Sequence, residues 1–324
     1  MSATGGSGTG VAGISQRVAF IGLGNMGTPM TTRLVAAGVE VAGFDVAEAA
    51  RERFAAVGGR PAASAAEAVD GADVVITMLP NSDVVESVLA DVLPHVQPGA
   101  LVVDMSSSEP LRTRVLAGRV AAAGARLVDA PVSGGVKGAV AGTLAIMVGG
   151  AAEDFAELEE LLSVLGKPTH VGAIGAGHAL KAINNLMSAI HLWGSSEAML
   201  TGIAFGLDPR IMLEVINASS GRSGSTQLKW PNFIVPETYD SGFSLGLMLK
   251  DMRIATSLAG ELGIPHEFGD EAVAHWARAN ADLGGTADHT EVARWLKAHT
   301  PALADRPLSA QAQEPRSEPK GDQP

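Results

Sequence analysis

From Arg17 to about Gly166 the chain alternates between two patterns. Short continuous apolar runs come first: VAFIG (18–22), VEVAGFD (39–45), DVVITML (73–79), LVVDM (101–105), LVDAP (127–131) and LAIMVGG (144–150). They are rich in β-branched residues and bounded by Gly, Pro or Asp. Runs without polar alternation predict strands buried on both faces. Between them lie helical stretches such as AEAARERFAAVG and EPLRTRVLAGRVAAAG. Strand–helix alternation of this kind predicts an α/β fold, a Rossmann-type doubly wound parallel sheet. After Gly172 the strand runs stop. A long helix is expected over about 175–206, then one beginning at Pro209 with Asp208 as its N-cap. Further helices are expected near 242–263, 268–283 and 288–299.

This divides the chain into a Rossmann domain (16–172) and an all-α C-terminal domain (173–300), joined by the long interdomain helix. Residues 1–15 are mostly Gly, Ser, Thr and Ala, the composition of a flexible arm. Residues 301–324 are rich in Pro, Gln and charge, the composition of a disordered tail.

Composition narrows the function. The net charge of −12 disfavours nucleic acid and anionic membrane as partners. No stretch of about 20 apolar residues is present, so no membrane span is expected. The start lacks the charged and apolar regions of a secretion signal, and cysteine is absent. Both fit a cytoplasmic protein. The eight histidines form no H-x-x-x-H or H-E-x-x-H pair, and no metal site is expected.

The first strand leads into IGLGNMGTPM (21–30), with Gly22, Gly24 and Gly27 at G-x-G-x-x-G spacing. In a dinucleotide site the first glycine makes the tight turn. The second lets a pyrophosphate approach, and the third packs helix on strand, with the helix N-terminus facing the phosphates. Leu23, Asn25 and Met26 complete that loop. A second strand ends at Asp45, whose carboxylate suits the ribose hydroxyls of NAD and repels the 2′-phosphate of NADP. NAD is therefore the expected cofactor. Arg51 and Arg53, in the next helix, weaken that preference slightly.

Four other stretches carry chemistry. DAPVSGGVKG (129–138) places Ser133, Gly134 and Gly135 after a strand, a nest suited to a carboxylate; read alone it is also a plain turn. GAGHALKAINN (175–185) puts Lys181 on an apolar helix with Asn185 one turn on. Lysine seldom goes inside without a purpose. A lysine with a pKa lowered by desolvation or a nearby cation exchanges a proton with a substrate hydroxyl. Alternatively, Lys181 snorkels out. LMLKDMRIA (247–255) offers Lys250 as that second cation, or as half of a surface ion pair with Asp251. SSGRSGST (219–226), with Arg222, reads more readily as a connection between helices than as a substrate contact.

Taken together, these stretches resemble the β-hydroxyacid dehydrogenase family, which includes 3-hydroxyisobutyrate dehydrogenase and tartronate semialdehyde reductase. The resemblance covers roughly residues 17–299 and rests on the combination of FIGLGNMGTPM, ITMLPN, VDMSSSEP, DAPVSGGVKGAVAGTLAIMVGG, GAGHALKAINN and LKDMRIA. It implies reversible oxidation of a small anionic hydroxy acid. It also implies that Lys181 is catalytic with Asn185 as its partner, that Ser133, Gly134 and Gly135 anchor substrate, and that Lys250 lies near cofactor and substrate. Met78, Leu79, Pro80 and Ser107 match loops lining the cofactor, Ser107 standing where many members have Thr. A homodimer or homotetramer is implied as well. A 3-hydroxyisobutyrate-like substrate leads. More polar acids (tartronate semialdehyde, threonate, a short hydroxysulfonate) and a non-catalytic NAD-binding module stay open.

Overall fold

A computed structural model describes residues 15–304, 307 and 308. The expected N-terminal arm, up to residue 14, lies outside the described residues, as does most of the expected tail. The chain divides into two compact units, with the division inside one long helix, between Lys181 and Ala182.

In the first unit the elements run β1 (Arg17–Ile21), α1 (Gly27–Ala36), β2 (Glu40–Phe44), α2 (Glu48–Ala56), β3 (Arg60–Pro61), α3 (Ala65–Val69), β4 (Val74–Thr77) and α4 (Ser82–Val92). They continue with β5 (Leu101–Asp104), α5 (Pro110–Ala122), β6 (Arg126–Asp129), β7 (Val132–Ser133), α6 (Gly135–Ala141), β8 (Leu144–Gly149), α7 (Ala152–Ser163) and β9 (Gly166–Gly172). The described strands form one sheet ordered β3-β2-β1-β4-β5-β6-β8-β7, with β9 on β8. Alternate residues enter separate cores on its two sides: Val18, Phe20, Val74 and Ile76 on one, Ala19, Ile21 and Val75 on the other. This explains the unbroken apolar runs.

The sheet is parallel through β6, but not beyond. β8 runs antiparallel to β6 and β7, and β9 is parallel to β8. β7 and the seven-residue α6 are too short a crossover to return the chain for a parallel strand. The register matters for the site. Ile21 pairs with Thr77, Thr77 with Asp104, and Asp104 with Asp129, so polar residues line up across the carboxyl ends of adjacent strands.

The second unit is helical. α8 (Ala176–Phe205) enters it and is followed by α9 (Pro209–Asn217), a π-helix (Ser225–Ile234), α10 (Leu245–Glu261), α11 (Glu267–Leu283) and α12 (Glu291–Ala298). Asp208 caps α9 as expected, its side chain accepting from the amides of Arg210 and Ile211. Trp230 and Trp276 are fully buried at the centre of its core. Leu303 and Leu308 join that core, so the stretch expected to begin a disordered tail at residue 301 is packed in part. Two apolar side chains leaving water outweigh its polar composition there. Among the described residues no helix is long and apolar enough to cross a membrane, and no cluster of His, Cys, Asp and Glu could hold a metal.

Candidate active site

The glycine loop turns between β1 and α1. Gly22 has φ +102, and a side chain there would strike the Met78 carbonyl at 2.3 Å. A Cβ on Gly27 would meet the Gly22 carbonyl at 1.9 Å. Gly24 differs: nothing lies within 4 Å of its missing Cβ. The loop is thus packed on both flanks and open at its middle, which fits the approach of a pyrophosphate. Asn25 and Met26 follow, Met26 standing just before the first turn of α1.

Asp45 is half-buried at the end of β2. Its Oδ2 accepts from the Leu23 amide (2.8 Å) and its Oδ1 from the Ala47 amide (2.8 Å). The carboxylate therefore ties the loop to the second strand and keeps a lone pair on each oxygen. Arg51 donates to the carbonyls of Asp45 and Val46 and lies over Phe44, so its guanidinium is already engaged.

The residues after β4 and β5 are held by a polar cluster that the sequence reading did not single out. Asp104 is buried and accepts from Thr77 Oγ1 (2.9 Å), the Ser106 amide (3.0 Å) and Ser108 Oγ (2.7 Å). Ser106 Oγ in turn accepts from the Leu79 amide (2.9 Å), which fixes the Met78–Leu79–Pro80 loop. Ser107 is half-buried between two inward-turned serines.

Asp129 is wholly buried at the end of β6. Its two oxygens accept from the amides of Gly175 (2.7 Å) and His178 (2.8 Å) at the start of α8. These satisfy orphan donors of that helix. Burial pushes the Asp129 carboxyl above its usual pKa, against the pull of His178 and the two amides. The His178 ring lies within 3.8 Å of both Asp104 and Asp129. It pairs with Thr113 Oγ1 (2.8 Å) and donates from Nε2 to the Ser106 carbonyl (3.2 Å). Asp104, Asp129 and His178 thus set where α8 begins. Asp at two strand ends and His one turn before Lys181 were the only sequence traces of this.

Lys181 follows one turn later and is only 6% exposed. Ser133 ends β7, and Gly134 and Gly135 lead into α6. Ser133 is half-buried, and the two glycines have φ +129 and +61, in the left-handed region that exposes successive amides.

In the second unit Asn185 is 5% exposed. Its Nδ2 donates to Asp251 Oδ2 (2.7 Å), and its Oδ1 accepts from Asn184 (3.1 Å). Lys250 is partly exposed and stands 3.6 Å from Asp251 Oδ1. Asp251 thereby links Lys250 to Asn185, a role not foreseen for it. Arg222 is exposed. Lys229, half-buried on the π-helix, donates to Ser188 Oγ on α8 (2.8 Å).

Comparison with known proteins places this arrangement. Residues 17–175 match the NAD-binding domain of 6-phosphogluconate dehydrogenase, and 175–296 match the NAD-binding domain of NADP-dependent 3-hydroxyisobutyrate dehydrogenase. The chain is 40% identical to 2-(hydroxymethyl)glutarate dehydrogenase of Eubacterium barkeri, over 78% of this chain and 85% of that one. It is 40% identical to NAD-dependent L-serine dehydrogenase of Pseudomonas aeruginosa, over 75% and 85%. The structure of Mycobacterium tuberculosis 3-hydroxyisobutyrate dehydrogenase with L-serine superposes with TM-score 0.84 at 37% identity, over 88% of this chain and all of that one. The chain belongs to the β-hydroxyacid dehydrogenases, NAD(P)-binding oxidoreductases that act on hydroxy acids.

Proposed function

We propose that this protein oxidises a small 3-hydroxy acid, or reduces the matching semialdehyde, and prefers NAD to NADP. Lys181 carries the reading. It is a nearly buried lysine on a helix whose first turn is bound to Asp129, with the equally buried Asn185 one turn on.

Bound NAD supplies the acceptor for the hydride. Lys181 takes the proton from the substrate hydroxyl in the oxidative direction and returns it in the reductive one. Asn185, its amide fixed by Asp251, orients the hydroxyl. Ser133 and the amides of Gly134 and Gly135 hold the carboxylate, and Lys250 adds positive charge. In the cofactor's half, Gly22 to Gly27 seat the pyrophosphate, while Met78, Leu79, Pro80 and Ser107 line the cofactor. Asp45 accepts the ribose hydroxyls and repels a 2′-phosphate. We also propose a cytoplasmic homodimer or homotetramer. The absence of cysteine suits a reducing compartment, and cell fractionation tests that placement.

The test is a panel of hydroxy acids assayed for NADH and NADPH formation. Turnover is expected with NAD, reduced at least roughly 1,000-fold in Lys181→Ala, the scale of a lost general base. Intact cofactor binding with no turnover on any hydroxy acid would favour a binding module. Preference for NADP would overturn the role given to Asp45.

A further inference from the structure

His178 is 1% exposed, and the chemistry proposed above gives it no step. A polar ring is buried without penalty only when its nitrogens are engaged, and here both are. Nδ1 pairs with Thr113 Oγ1 on α5 (2.8 Å), and Nε2 donates to the Ser106 carbonyl (3.2 Å). Asp104 and Asp129 flank the ring at 3.7 and 3.8 Å. The backbone is held as well, because the His178 amide donates to Asp129 Oδ2 (2.8 Å).

These bonds lead to groups with proposed roles. The Ser106 carbonyl accepts from the ring, and Ser106 Oγ accepts from the Leu79 amide (2.9 Å), so the ring reaches the loop after β4 through one residue. Ser107 follows directly and is bracketed from both sides. The Ser106 amide donates to Asp104 Oδ1 (3.0 Å), and Ser108 Oγ donates to Asp104 Oδ2 (2.7 Å). In the other direction, Lys181 lies three residues after His178 on α8, about 4.5 Å along the axis and about 60° round it. One helical turn carries the position of the His178 backbone to Lys181, and one ring carries it to the loops. All of these residues belong to the first unit.

We propose that His178 is a positioning residue: through its Nε2–H bond to the Ser106 carbonyl it fixes the cofactor-lining segments, Met78–Pro80 and Ser107, relative to Lys181. This rests on the reading of Lys181 as the proton carrier and goes beyond it. Hydride and proton leave one carbinol group in the same reaction, so the cofactor's seat and the lysine must keep one separation. Misplacement by about 1 Å costs on the order of 100-fold in rate. Asp129 seats the helix, and the His178 ring ties that seat to the loops.

The test compares His178→Gln with His178→Asn in the full chain. Both discard the ring and leave a primary amide. Glutamine carries its amide nitrogen as many bonds from Cβ as Nε2 lies, so it still donates to the Ser106 carbonyl. Asparagine carries it as many bonds out as Nδ1 and reaches only toward Thr113. Loss of a buried ring alone therefore affects the two variants alike. His178→Met, as long as glutamine but without a donor, keeps the core filled and should behave as His178→Asn. The first measurement is the NADH dissociation constant by fluorescence titration, which needs no turnover. His178→Asn and His178→Met should weaken NADH about tenfold, the scale of one lost buried hydrogen bond, and His178→Gln should recover most of that. The second is kcat at saturating NAD and hydroxy acid, expected to fall about 10- to 100-fold in the first two variants and to be largely rescued in His178→Gln. Losses in NADH affinity or in kcat that are equal in all three variants overturn the inference and leave the dehydrogenase reading intact. NADH affinity that separates His178→Gln from the others, with no hydroxy acid turned over by the wild type, supports the link from His178 to the loops and sinks the dehydrogenase reading instead.

Discussion

His289 is almost wholly buried; its Nδ1–H donates to the Phe243 carbonyl (3.0 Å), and its Nε2 lacks a partner. Burial, then the Lys229 charge, lowers its pKa to about 4, against the pull of Asp288 and of that carbonyl. The folded protein thus keeps the ring neutral where the unfolded chain protonates it, near pH 6.5. This contribution to stability is complete above about pH 6.5 and is lost as pH falls through about 4. At 1.36 kcal/mol per unit it amounts to about 3 kcal/mol. Urea unfolding should therefore give a stability that falls between pH 6.5 and 4 more steeply in the wild type than in His289→Gln; parallel profiles would refute the assignment. The same scale shows what single residues disclosed. Lys181 and Asn185 stood out in the sequence because a polar group interrupting an apolar helix has few explanations. Asp104 and Asp129 did not, because a carboxylate ending a strand is ordinary. Only the register that aligns Thr77, Asp104 and Asp129 reveals a buried cluster.

Two glycines of α8 differ in what surrounds them. A Cβ on Gly177 would meet the Met147 carbonyl at 2.2 Å and Asp129 Oδ2 at 2.9 Å. That carboxylate oxygen receives the His178 amide, so the helix start must move before the methyl fits. Gly194, farther along the helix, has nothing within 4 Å of its Cβ position and faces solvent. Gly177→Ala is expected to lose about 1–3 kcal/mol of stability and to lower kcat, because Lys181 lies one turn on. Gly194→Ala is expected to gain about 0.5–1 kcal/mol with activity unchanged. Urea titration with steady-state kinetics on both variants checks this, and equal behaviour would mean that the Asp129 seat does not position the helix. Most elements were legible because the strands are continuous apolar runs and the helix after the long one carries the cap Asp208. β9 was missed because GKPTHVG is an edge strand with no buried residue and no apolar run to find. The π-helix was missed because SSGRSGST, in which it begins, read as a connection, and i→i+5 winding has no familiar sequence period.

At the scale of the whole molecule, a chain of net charge −12 repels its own copies, so association must come from apolar surface. Such surface is present on the long helix. Leu180, Ile183 and Met187 are 41%, 43% and 53% exposed, spaced along α8 at helical intervals away from Lys181 and Asn185. On α9, Ile211 and Val215 are 62% and 58% exposed, one turn apart. A lone exposed Leu means little, but stripes repeated at helical spacing are the kind of surface an isologous interface covers. The proposed homo-oligomer should therefore appear in light scattering as at least a dimer at micromolar concentration. Met187→Lys and Val215→Lys, each at an exposed position with little folding cost, should lower the mass toward the monomer by setting charge against charge across a two-fold axis. A wild type that runs as a monomer throughout the concentration range would remove the oligomer from the proposal. An oligomer indifferent to both substitutions would place its interface elsewhere on the chain.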